Sequence, residues 1–142
     1  MLNKVRCVAG ILGSTAVVLG AAQVQAAPVQ EVYGQVGVLH GGIGEDDRAA
    51  MQQQSSEYNL RLTFAWKGSG AYLSQVRVVI RNAQGAIVLD TVTAGPWLFA
   101  RLPQGEFTVE AADEGRTLSQ KIAIKGTSRR EWVFRFDPVG AQ

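Results

Sequence analysis

From Tyr58 to Trp66 the chain alternates with period two: Tyr58, Leu60, Leu62, Phe64 and Trp66 fall on one side, Asn59, Arg61, Thr63 and Ala65 on the other. Successive side chains of a strand point to opposite faces, so this pattern predicts a strand with one face in a core and one toward water. Lys67-Gly68-Ser69-Gly70 ends it. Between Tyr72 and Arg81, Val76, Val78 and Ile80 oppose Arg77, Val79 and Arg81. Asn82-Ala83-Gln84-Gly85 then reads as a turn and Ala86 to Thr93 as the return strand of a hairpin. Trp97 to Arg101, Glu106 to Ala111, Thr117 to Lys125 and Arg130 to Phe136 bring the count to seven short strands, punctuated by Leu102-Pro103-Gln104-Gly105, Asp113-Glu114-Gly115 and Gly126-Thr127-Ser128. The expected core is Leu60, Leu62, Phe64, Val76, Val78, Ile80, Phe99, Phe107, Val109, Ile122, Ile124, Trp132 and Phe134. Trp66 joins it by phase.

Upstream the periodicity is weaker. Val29 to Gly37 suggests an irregular strand, and Leu39-His40-Gly41-Gly42-Ile43-Gly44 is too rich in glycine for an interior element and reads as a loop. Glu45 to Gln54 predicts a short helix, with Glu45, Asp46 and Asp47 where a helix N-terminus favours negative charge. Seven strands with glycine turns indicate an all-β sandwich rather than a parallel α/β domain, and a barrel stays open because alternation sets faces without fixing closure. The organisation expected is a leader at 1–26, an N-terminal strand or extension with Gly-rich loop and helix at 27–57, a sandwich core at 58–136 and a tail at 137–142.

Three segments carry a more specific pattern: Val76 to Gly85, the Gly-x-x-x-Phe element of Gly95 to Phe99, and Leu102-Pro103-Gln104-Gly105-Glu106-Phe107-Thr108-Val109. Together they resemble the carboxypeptidase regulatory-like domain family. The resemblance covers roughly residues 58–136 and implies a seven-stranded prealbumin-like (transthyretin-like) Greek-key β-sandwich. It carries over no catalytic residue, since such modules accompany enzymes, receptors or surface proteins. The Gly41 to Asp47 segment resembles small exported proteobacterial proteins built on such a sandwich.

The N-terminus sets the expected compartment. Lys4 and Arg6 precede an apolar run from Val8 to Ala22, and the small residues around Ala26 and Ala27 suit cleavage. That is the pattern of a secretory signal peptide, so a periplasmic or secreted bacterial protein with no stable membrane insertion after cleavage is expected. The single Cys7 lies in the leader, leaving a mature chain without cysteine, disulfide or thiol chemistry. Loss of Lys4 and Arg6 leaves 12 basic residues against 12 acidic ones, which gives a nucleic-acid partner no electrostatic support. Arg129-Arg130 is too short to hold a phosphate backbone alone.

Candidate chemistry is sparse. His40 is the sole histidine and no Gly-x-Ser-x-Gly nucleophile turn exists, so no catalytic residue, enzyme activity, cofactor or metal is assigned. Glu45, Asp46 and Asp47 offer carboxylates for calcium, but adjacent helical residues diverge and EF-hand spacing is missing. The Gly34 and Gly41 to Gly44 glycines lack a P-loop lysine. Trp97 is the best candidate for an exposed aromatic, although its phase with Phe99 leaves burial equally open. The expectation is a non-enzymatic exported accessory or protein-binding module of the cell envelope, recognising an envelope protein or glycan through His40, Glu45, Asp46, Asp47 and Trp97. Its alternatives are a carbohydrate-binding module or a calcium-binding structural protein.

Overall fold

A computed structural model describes residues 27–138. The leader, its cleavage site and Cys7 lie outside them, as does the end of the tail. Nine strands form in chain order: β1 Val29–Tyr33, β2 Val36–Gly41, β3 Leu60–Trp66, β4 Arg77–Asn82, β5 Ile87–Val92, β6 Trp97–Arg101, β7 Gly105–Asp113, β8 Arg116–Ile124 and β9 Arg130–Phe136. A helix, α1 at Glu45–Gln54, and a 3-10 turn at Ser55–Glu57 link β2 to β3. No described helix is long and apolar enough to cross a membrane.

The strands make two sheets, ordered β1-β2-β6-β3-β9 and β5-β4-β7-β8. One apolar core is shared between them: Val38, Leu60, Leu62, Phe64, Leu98, Phe134 and Phe136 from the first meet Val78, Ile80, Leu89, Phe107, Val109 and Ile124 from the second. All pairings are antiparallel except β3 with β9, which runs parallel and aligns Phe64 with Phe134. Those two rings stack with centroids 5.8 Å apart.

Several expectations need correction. The five-stranded sheet takes two strands from the region upstream of Tyr58, giving nine among the described residues rather than seven. Leu39-His40-Gly41, expected as loop, is the end of β2 and pairs with β6. Both faces of β2 are covered: Val36 and Val38 enter the core between the sheets, while Leu39 points to the other side. Burial on both faces erases the alternation that marks a half-exposed strand. The strand expected from Tyr72 begins only at Arg77, and Tyr72 makes a single bridge to Ala65. Trp132 keeps the core phase of Phe134 but lies on edge strand β9 and is 41% exposed. Trp66 and Ile122 are only partly buried against the core.

Phe99 is fully buried, but on the outer side of the five-stranded sheet. There α1 and the 3-10 turn cover β2 and β6, and Leu39, Met51, Tyr58 and Phe99 form a second, smaller core with Trp97 at its margin. Met51 has no exposure at all, so the short helix is held by this contact rather than by propensity.

Candidate functional site

The segment from β2 into α1 brings some of the candidate residues together and separates others. His40 continues the inward side of β2 after Val36 and Val38 and is 2% exposed. Its Nδ1 accepts the backbone N–H of Ala94 at 2.8 Å, so the neutral ring carries its proton on Nε2. Nε2 faces Glu31 Oε1 at 3.2 Å, at an angle that falls short of a hydrogen bond. The other carboxylate oxygen of Glu31 accepts from the Thr91 hydroxyl at 2.8 Å. Glu31 thus ties β1 of one sheet to β5 of the other, with His40 alongside.

Asp47 behaves unlike its two acidic neighbours. Glu45 and Asp46 are exposed on the first turn of α1, whereas Asp47 is 4% exposed. Its Oδ2 accepts the backbone N–H groups of Gly42 and Ile43, and its Oδ1 is buried without a hydrogen-bond partner. The next residue, Arg48, donates from Nη1 to the Gly42 carbonyl at 3.1 Å. Two consecutive helical side chains therefore grip both polar groups of one peptide-bearing residue, and the loop is fixed by α1 itself. A side chain at Gly42 would press on the indole of Trp97, and Gly42 has φ +99°, so glycine is required twice over.

Trp97 lies half-buried on the outer side of β6, against Gly42 and stacked on Phe99 with centroids 5.9 Å apart. Nearby, the Arg48 guanidinium sits 5.6 Å from the centroid of Tyr72, which is 52% exposed. Asp47 and Trp97 thus meet through Gly42, Glu45 and Asp46 point away into solvent, and His40 faces the opposite side of the sheet. Among the described residues no three His, Cys, Asp or Glu side chains come together in a way that could hold a metal ion.

A second constellation lies at the far end of the helical layer. Register across the sheet aligns Gln30, Leu39, Phe99, Arg61 and Glu131 in one outward-facing row. The layer covers Leu39 and Phe99 and stops before Arg61. The Arg61 guanidinium lies 4.8 Å from the Phe99 ring centroid, and its Nη1 is 3.1 Å from Glu131 Oε1. A cavity of about 190 Å³ opens here, lined by residues that include Ser55, Asn59, Arg61, Arg129, Arg130 and Glu131. Along the sequence Arg129-Arg130 is a short basic pair, too small to hold a phosphate backbone alone. The missing information was the pairing of β3 with β9, which carries Arg61 beside them.

No protein-family model matches the chain, and no curated protein does.

Proposed function

We propose that the protein is a non-enzymatic, exported accessory module of the cell envelope that binds a protein partner through the segment from Gly41 to Arg48. On this reading it is a relative of the carboxypeptidase regulatory-like domains, a prealbumin-like Greek-key sandwich extended by the β1–β2 hairpin and α1. The observation that carries the reading is the double grip of Asp47 and Arg48 on Gly42. It holds a loop whose tip, Ile43, is 51% exposed and whose flank offers Glu45, Asp46 and Tyr72 to solvent. A loop already held in shape gives up little conformational entropy when it binds. His40 through Nδ1 and Asp47 through Oδ2 each accept backbone N–H groups of the fold, and both side chains are buried. Trp97, the aromatic expected to face a glycan, uses its ring against Gly42 and Phe99.

The test is a photo-cross-linking residue at Ile43 in the full chain, expressed in an exporting bacterium, with the same residue at Lys121 on the other sheet as the control. The expected result is one recurrent adduct from position 43 that disappears in the Glu45→Ala/Asp46→Ala variant. Equal adducts from both positions, or none from position 43, would overturn the reading.

A further inference from the structure

We infer that the cavity beside the 3-10 turn is a binding site for a phosphate group, free or carried as a monoester. Three arginines, Arg61, Arg129 and Arg130, line a space that contains one carboxylate, Glu131. Among the described residues no carboxylate pairs with Arg129 or Arg130. Arg130 stands in register with inward-facing Leu60 and donates from Nε to the Ala123 carbonyl of β8 in the other sheet at 3.0 Å, so the arginines offered to a ligand are Arg61 and Arg129. The guanidinium of Arg61 is held by the Phe99 ring and by Glu131 before any ligand arrives. Planar guanidinium groups donate pairs of hydrogen bonds to oxyanions, and a doubly charged, tetrahedral phosphate accepts from several at once, whereas one arginine serves a carboxylate. Ser55 and Asn59 at the wall are fixed by the fold, the Ser55 hydroxyl donating to the Gln52 carbonyl and the Asn59 amide to the Leu102 carbonyl, which leaves Arg61 and Arg129 as the groups that meet a ligand.

Size points the same way. Sites for whole drug-sized ligands run from ~300 Å³ upward, so about 190 Å³ suits an anionic group whose carrier stays outside. Glu131 then acts as an internal competitor. An incoming phosphate must take Arg61 from it, and removing its charge frees the site. The inference extends past the partner-binding reading and does not depend on it, because the cavity lies at the C-terminal end of α1 and the gripped loop at its N-terminal end.

Amide chemical-shift titrations and calorimetry at constant ionic strength test it, with inorganic phosphate and a hexose 6-phosphate as probes and sodium chloride as the control. Saturable shifts at Arg61, Arg129 and Glu131 are expected. Arg129→Gln, at an exposed turn position, should weaken binding about tenfold, the scale of one charge-assisted hydrogen bond. Glu131→Gln should strengthen it several-fold, a result that a merely structural Arg61–Glu131 pair does not produce. Tighter binding of the hexose phosphate identifies a phosphorylated sugar as the source, and equal binding identifies free phosphate. A response that follows ionic strength alone, or one that neither substitution alters, would overturn the site.

Discussion

The backbone N–H of Ala94 donates to Nδ1 of His40 across 2.8 Å, joining the segment before β6 to the end of β2. Removing the imidazole leaves that N–H without its acceptor in a part-buried position. His40→Ala is expected to destabilise the fold by about 1–3 kcal/mol, the usual penalty for an unsatisfied buried donor. Urea unfolding followed by tryptophan fluorescence measures it, and an unchanged midpoint would show the contact to be dispensable.

Gly95 crosses the end of β2 so closely that a Cβ would collide with the backbone carbonyl of Gly41. Backbone has nowhere to retreat here, because Gly41 is paired with Trp97 and itself crowded by Asp47. Gly95→Ala should cost about 1–3 kcal/mol as an overpacked substitution. Gly37→Ala is its control: a Cβ there meets open space, and its effect should stay within about 0.5 kcal/mol. Similar thermal midpoints for the two variants would contradict this account.

Phe107 is 5% exposed in the core between the sheets, and Trp132 is 41% exposed on the edge of one of them. Phe107→Ala is expected to lose about 3–5 kcal/mol. Trp132→Ala should lose clearly less, since much of its surface already meets water. Paired denaturant titrations decide the order.

Tyr58 gives the expected alkaline response. Burial pushes its phenol up, and the Glu57 carboxylate adds to the rise, against smaller opposing effects from Arg101 and Gln30. A folded-state value above the unfolded one means that the folded chain holds its proton longer. Its contribution is fully present below the unfolded value near ~10 and is lost as pH rises through the folded value. Urea midpoints should therefore fall from about pH 10 upward, and less steeply in Tyr58→Phe. Identical alkaline slopes in the two proteins would remove Tyr58 as the cause.

Much of this was legible in the sequence, with gaps of one kind. Leu60, Leu62 and Phe64 announced β3 because one face meets the core and the other does not. Val36 to Gly41 did not announce β2, because the core claims Val38 while α1 covers Leu39. Trp97 and Phe99 showed a shared face, but period two does not say which of two cores that face meets. Trp132 has the phase of a core residue and the place of an edge residue. The start of α1 at Glu45 followed from its acidic turn, yet the turning back of Asp47 toward Gly42 depends on loop geometry that spacing does not encode. The arginine-lined cavity required knowledge of which strands are neighbours.

The parallel pairing of β3 with β9 carries a further consequence, in the order of events during synthesis. β9 lies about 70 residues after the strand it completes, and it is the last strand among the described residues. Until it leaves the ribosome, β3 is an open edge and Phe64 lacks the ring that stacks on it. Contacts of such long sequence separation form late and slowly, and an open edge invites pairing with other chains in the interval. β9 takes over from β3 as the edge of the larger sheet, so a chain cut short before Arg130 would leave β3 unpaired on that side and Phe64 without its stacking ring.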